Sequence, residues 1–106
     1  MDNDELEFKT LKIFEKSPKL SQRKLASDLG VSLGKANYIV KALINIGAVK
    51  LENFRRSDNK LGYMYTITPK GIRRKAEVTR LFFIQKTREY NELRIEIDRL
   101  KVELNE

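Results

Sequence analysis

The residues with the clearest chemical potential lie between Ser32 and Lys41. Ser32, Gly34, Lys35, Asn37, Tyr38 and Lys41 fall on one face of a helical repeat. Ala36, Ile39, Val40, Leu43 and Ile44 take the opposite face. An asparagine can meet an adenine edge with a donor and an acceptor at once, and a lysine can donate to guanine or to phosphate. Tyr38 can donate to a phosphate or lie on a thymine methyl. Gly34 sits in the first turn, where the missing side chain lets another backbone approach. No acid interrupts this face. A merely solvated helix usually mixes both signs of charge, so this surface is expected to meet the base edges of duplex DNA.

Two smaller groups fit the same partner. Ser21, Gln22 and Arg23, followed by Lys24, open the preceding helix. Helix N-termini and short polar side chains hold phosphates, although Ser21 also serves as a cap. Arg55, Arg56 and Lys60 lie in the polar stretch RRSDNKL. From a hairpin tip they would follow the backbone or enter a minor groove, where arginine is favoured. A solvated charged turn is the competing account.

Catalysis has little to work with. The chain has no histidine and no cysteine. That removes Ser-His and Cys-His systems, disulfides and cysteine-based zinc sites, and leaves a transition-metal site without its usual ligands. No paired carboxylates, nucleophile with base, or glycine-rich phosphate loop stands out. The protein is expected to be no enzyme, with no cofactor and no metal.

The elements that must position these residues can be read from period and punctuation. Residues 4–16 form an amphipathic helix with Leu6, Thr10, Leu11, Ile13 and Phe14 on one face and Phe8 off it. Ser17-Pro18 stops it. Ser21 caps a short helix over 22–29, which Gly30 ends, and Ser32 caps a third helix over 33–46, which Gly47 ends. Two short helices across a tight glycine turn make a helix-turn-helix. Residues 48–54 and 62–67 then read as two strands of a hairpin. Thr68-Pro69 opens a last helix that no proline, and no glycine after Gly71, interrupts to residue 106. The expected class is mainly α with a small β-hairpin: a winged helix-turn-helix followed by a long C-terminal coiled-coil helix. The expected division is 1–75 for the DNA-binding domain and 76–106 for the dimerisation helix.

The charge distribution agrees. The 106 residues hold 22 Lys and Arg against 15 Asp and Glu, a net charge of +7. Residues 21–50 carry five basic residues against one acid, and residues 51–75 carry seven against two. Each end is slightly acidic, so the whole excess lies in the middle of the chain. No apolar run approaches the ~20 residues of a membrane span, and the acidic N-terminus MDNDELE lacks the layout of a secretory signal. A cytoplasmic protein without membrane contact is expected.

The stretch LSQRKLASDLGVSLGKANYIVKALINIGAVK, with a basic wing and YTITPKG after it, resembles the winged-helix repressors of the MarR family. SLGKANY and TPKG are similar, more narrowly, to the short MarR-like regulators associated with exopolysaccharide (EPS) gene clusters. The resemblance covers roughly residues 8–104. It implies a dimeric transcriptional regulator that binds double-stranded DNA, a repressor, with Ser32 to Lys41 as recognition residues and Arg55 to Lys60 as the wing. The N-terminus is shorter than in typical members, which tells against the phenolic-ligand pocket that many of them carry.

The tail carries its own signal. Phe83, Tyr90, Ile97 and Leu104 are spaced by seven, and Leu93 and Leu100 fall three after Tyr90 and Ile97. That is a coiled-coil a/d pattern with Lys86 as its polar exception, and it predicts a homodimer through the C-terminal helix. Glu89 and Glu96 would meet Arg94 and Lys101 of a second copy in a parallel pair; an antiparallel pair would set like against like. Ile72, Ala76 and Leu81, nearer the wing, are expected to pack on their own domain. Ile95 and Val102 form a second apolar line.

Two other readings compete. A protein-interaction adaptor could use the winged helix as scaffold and the coiled coil as its grip, but it would have no need of a basic, acid-free helix face. RNA binding lacks the exposed aromatic sheet that base stacking would use, and only Tyr63 and Tyr65 of the hairpin argue for it.

Overall fold

A computed structural model describes residues 2–105. Met1 and Glu106, the outer limits of the two expected segments, lie outside the described residues. The elements run α1 (Asn3–Lys16), α2 (Gln22–Leu29), α3 (Leu33–Asn45), β1 (Val49–Arg55), β2 (Leu61–Ile67) and α4 (Pro69–Asn105).

Local chemistry accounts for each boundary. Asp2 caps α1 by accepting the Glu5 N–H at 2.9 Å. Ser21 accepts from Lys24 N at 3.1 Å and Ser32 from Lys35 N at 3.0 Å. Both helices of the turn motif end on a left-handed glycine, Gly30 at φ 70 and Gly47 at φ 77. The residue after each glycine donates back into its helix: Val31 to Ala26 O at 3.0 Å, Ala48 to Leu43 O at 2.9 Å. This closure satisfies carbonyls that a helix end otherwise leaves bare.

The three helices and the hairpin close on one core. Leu6, Leu11, Phe14, Leu25, Leu29, Ile39, Leu43 and Tyr65 are buried there. The rings of Phe14 and Tyr65 stack at 4.7 Å, which ties α1 to β2. The strands pair antiparallel from Val49↔Ile67 to Arg55↔Leu61. They reach nearer the tip than the expected 48–54 and 62–67, because Arg55 and Leu61 still pair. The remaining turn, residues 56–60, closes on Asn59 at φ 65. On the other side of β2, Tyr65 N donates to Pro18 O at 2.9 Å, so the link between α1 and α2 runs along that strand.

The start of α4 is clamped. Thr68 Oγ1 accepts the Gly71 N–H at 3.0 Å and donates to Gly47 O at 2.5 Å, while Thr68 N donates to Ala48 O at 3.1 Å. Gly71 is buried against Ala48, and a methyl group there would overlap the Ala48 carbonyl oxygen. At ~100° per residue, this anchor sets which side of α4 meets the domain. Val78 and Phe82 lie on the same side of α4 as Gly71; Val78 is fully buried, and Phe82 lies 5.2 Å from Phe8 of α1, the residue that stood off the α1 apolar face. Arg74 Nε and a terminal nitrogen both reach Glu7 Oε2 at 2.7 Å. Burial alone would lower the Arg74 pKa, but the hydrogen bond and the charge of Glu7 outweigh it and hold it above its ordinary value. Lys75 pairs with Glu15, and Lys86 lies 3.9 Å from Glu5.

The same rotation corrects one expectation. Ile72 and Leu81 are 65% and 41% exposed, and Ala76 is exposed as well. None of the three is buried against its own domain. Ile72, Ala76 and Thr79 instead continue the seven-residue spacing upstream of Phe83, so the apolar line of α4 begins near its first turn.

Candidate nucleic-acid interface

The face between Ser32 and Lys41 is built as the spacing requires. Ala36, Ile39, Val40 and Leu43 are buried and hold α3 on the core, while Ile44 is half-buried. Ser32, Gly34, Tyr38 and Lys41 are exposed on the outer side, with Lys35 and Asn37 half-buried between them. Gly34 faces open space, with only Ser32 Oγ at 4.0 Å from where a methyl would stand. Lys35 leans across the helix: its ammonium lies 5.0 Å from the Tyr38 ring centroid and 3.3 Å from Asn3 Oδ1. Both contacts are exposed and leave the charge available to an anion. Leu33, 44% exposed in the first turn, is an apolar residue that periodicity alone would have put on the core side. First-turn positions lie beyond the edge of the packed stripe, which is why spacing misplaces it.

At the start of α2, Ser21 and Arg23 are exposed and Gln22 is half-buried. Gln22 Nε2 donates to Tyr65 Oη at 3.4 Å, which links this turn to the hairpin. The Ser21 oxygen accepts as the cap and its own O–H stays free to donate, so an anion there can meet that hydroxyl together with the backbone N–H groups of the first turn.

The tip of the hairpin is an ordered turn. Arg55 reaches over it to Asn59 Oδ1 at 3.1 Å, and Arg56 pairs with Asp58 at 3.3 Å. Lys60 N donates to Asp58 Oδ1 at 3.1 Å, and the Lys60 ammonium meets no carboxylate among the described residues. Lys60 is therefore the readiest of the three for a phosphate, while each arginine must share its charge. Lys19, which sequence reasoning passed over, holds its ammonium 4.6 Å from the centroid of Phe54 beside the same hairpin. Its signal in the sequence was weak: a single lysine after a proline, in a net acidic segment.

Along α4 the six residues of the expected seam are all open to solvent. Phe83, Tyr90, Leu93, Ile97, Leu100 and Leu104 range from 43% exposed at Ile97 to 87% at Leu104. Lys86 turns to Glu89 at 3.1 Å, a hydrogen bond that raises the lysine pKa and lowers that of Glu89. No helix among the described residues is long and apolar enough to cross a membrane. No group of three possible metal ligands occurs among them.

Comparison with known proteins gives the same architecture. The chain superposes on Sso10a-2, a DNA-binding protein from Sulfolobus solfataricus, with a TM-score of 0.69 at 19% identity, over 91% of this chain and 94% of that one. MepR, a transcription regulator of the Staphylococcus aureus multidrug efflux pump MepA, matches with a TM-score of 0.55 at 16% identity, over 94% and 73%. The multiple antibiotic-resistance repressor (MarR) of Listeria monocytogenes matches with a TM-score of 0.51 at 18% identity, over 95% and 73%. No curated protein sequence matches the chain. The fold is a winged helix-turn-helix with a long C-terminal helix, and residues 3–50 match the family model described as winged helix-turn-helix DNA-binding.

Proposed function

We propose that this protein is a sequence-specific, double-stranded DNA-binding transcriptional regulator, working as a homodimeric repressor. The observation that carries the reading is the outer face of α3: a run of donors from Ser32 to Lys41 without an acid, on a helix whose other side is buried in the core. Such a helix enters the major groove while the helix before it crosses the backbone. Asn37, Tyr38 and Lys35 read or approach bases; Ser21, Gln22 and Arg23 hold a phosphate at the start of α2; Arg56 and Lys60 follow the backbone from the wing, with Arg55 behind them. Residues 1–75 serve as the recognition unit and α4 from residue 76 as the pairing element, joined through Val78 and Phe82. The protein works inside the cell without metal or cofactor and is no enzyme.

Pairing follows from the exposed seam. Burying an apolar side chain of this size contributes roughly 1.5–3 kcal/mol, and α4 presents such residues from Ile72 to Leu104. The match to a DNA-binding family over residues 3–50 supports the DNA reading, as does the likeness in fold to MepR and to the Listeria repressor. The narrower assignment to exopolysaccharide genes is supported by the SLGKANY and TPKG segments.

Selection of bound DNA from a randomised duplex pool, with the purified full-length protein, tests the proposal. The expected result is an enriched, roughly palindromic site with half-sites about one helical turn apart, ~34 Å, or a multiple of it. Binding retained with no enriched sequence would refute specificity and leave a general duplex binder.

A further inference from the structure

The hairpin carries a surface that duplex recognition does not need. Tyr65 turns into the core against Phe14, but its strand partner Leu51 stays 43% exposed, and Tyr63, two residues before it, stays 60% exposed. With Ser21 and Gln22 they line a cleft of about 460 Å³. A second hollow, of about 430 Å³, adjoins the first through Ser21 and Tyr63 and runs on to Lys19, Phe54, Arg56 and Leu61.

We propose that these two hollows bind single-stranded DNA, with an unstacked base against Tyr63 and the flanking phosphates at Lys19, Arg56 and the first turn of α2.

The composition of the cleft selects this ligand. Its floor is aromatic and aliphatic, its rim holds the two cations, and no acid among the described residues lines either hollow. Asp58, outside the lining, pairs with Arg56 at 3.3 Å. A duplex hides the faces of its bases in the stack and shows only groove edges and phosphates, so a concave apolar floor gives it nothing. An unpaired nucleotide exposes a flat apolar face next to a charge, and aromatic side chains accept such faces with little regard to sequence. The Lys19 ammonium is already held at the rim, 4.6 Å from the Phe54 ring centroid. That ring lies flat on the strand because residue 62 is glycine; a methyl there would stand 2.9 Å from two ring carbons. Ser21 belongs both to the cleft and to the phosphate-binding turn proposed above, so a strand leaving the duplex reaches the cleft without a break. This inference shares that turn and Arg56 with the proposed function, and the two are measured on separate ligands.

The test uses the full-length protein and four labelled probes in fluorescence anisotropy: a thymidine oligomer, an abasic oligomer of equal length, a uridine oligomer and a duplex. The thymidine oligomer should bind about ten-fold tighter than the abasic one, since stacking of one base is typically worth about that factor. Tyr63→Ala should remove this difference and leave duplex affinity within about two-fold, while Tyr63→Phe keeps the stacking. The chain has four tyrosines and no tryptophan, so its emission comes from tyrosine. Thymidine binding should quench that emission in the wild type, and by less in Tyr63→Phe. Equal affinity for thymidine and abasic oligomers would overturn the proposal. So would an equal loss on duplex with Tyr63→Ala, which would make Tyr63 a duplex contact. Tighter binding of the uridine oligomer would overturn the assignment to DNA. Loss of duplex binding alone would count against the proposed regulator and leave the cleft standing.

Discussion

Replacing Gly71 with alanine reverses the sign of a familiar effect. In a helix, Gly→Ala ordinarily stabilises by about 1 kcal/mol, because glycine has more backbone freedom to lose. At Gly71 the new methyl would stand 2.7 Å from Ile67 Cγ2 and 3.0 Å from the Ala48 carbonyl carbon, with the Ala48 oxygen closer still. The obstacle is backbone, fixed in place by the hydrogen bond from Thr68 N to that oxygen at 3.1 Å. Relief requires the first turn of α4 to lift away from the α3–β1 junction. Overpacking of this kind costs typically 1–3 kcal/mol and occasionally more. With backbone as the obstacle the upper end applies, so the net change after the propensity gain is about 2 kcal/mol of destabilisation. For a domain this size that lowers the melting temperature by roughly 8–16 °C. Thermal unfolding followed by circular dichroism, at one fixed protein concentration so that self-association does not shift the midpoint, reads the change. Gly34→Ala is the control: space is open there, with a single atom at 4.0 Å, so its stability should hold or rise by up to ~1 kcal/mol. A Gly71→Ala protein that melts at or above the wild-type temperature would refute the close approach and the orientation of α4 derived from it.

Other expectations follow from the same geometry. Asn37→Ala should weaken a selected operator by ~1–3 kcal/mol and leave random duplex unchanged in a competition assay; equal losses on both would move Asn37 to the phosphate contacts. Arg56→Ala and Lys60→Ala should each lower the slope of log K against log salt by roughly 0.9 per lost phosphate contact, and an unchanged slope for both would place the wing tip in solvent. Ile97→Asp should give monomers in light scattering with operator affinity lost. In a chain without native cysteine, Asn105→Cys should oxidise to a cross-linked dimer, as the Glu89–Arg94 and Glu96–Lys101 pairing of a parallel coil predicts; a dimer that never cross-links there is antiparallel. Thr10 is fully buried and its hydroxyl has no partner among the described residues, so Thr10→Val should keep or raise stability by about 1 kcal/mol in urea unfolding, and a loss of that size would reveal a hydrogen bond at this site.

What could be read from the sequence divides along a physical line. Ser21, Ser32 and Thr68 were legible as caps, and Gly30 and Gly47 as stops, because a cap depends on residues within one turn of itself. The outer face of α3 was legible because burial of Ala36, Ile39, Val40 and Leu43 leaves the rest no other side. The inward face of α4 was not. Ile72, Ala76 and Leu81 look like core residues, and Arg74 like a surface charge. Their true order depends on Gly71 lodging against Ala48 and on Glu7 waiting across the gap, contacts between residues 23 and 67 positions apart. Lys19 on Phe54 and Tyr63 beside Ser21 were hidden for the same reason: their partners lie some 35 to 42 residues away.

The continuous α4 also governs how tolerant a two-headed complex can be. At ~1.5 Å per residue its 37 residues make a rod of about 55 Å, and the Glu7–Arg74 pair and the Phe8–Phe82 contact fuse it to the head without a hinge. For a pair joined along that rod, the torsional phase between the two recognition helices is set by helix geometry. Five base pairs added between half-sites turn one of them by about half a revolution, to the far face of the duplex. A flexible tether would absorb the change with a modest fall in effective concentration; a strut forfeits the second contact altogether. Binding would therefore oscillate with spacer length instead of declining smoothly. Inserting one residue into α4 ahead of the seam would shift that oscillation, because it rotates head against partner by about 100°.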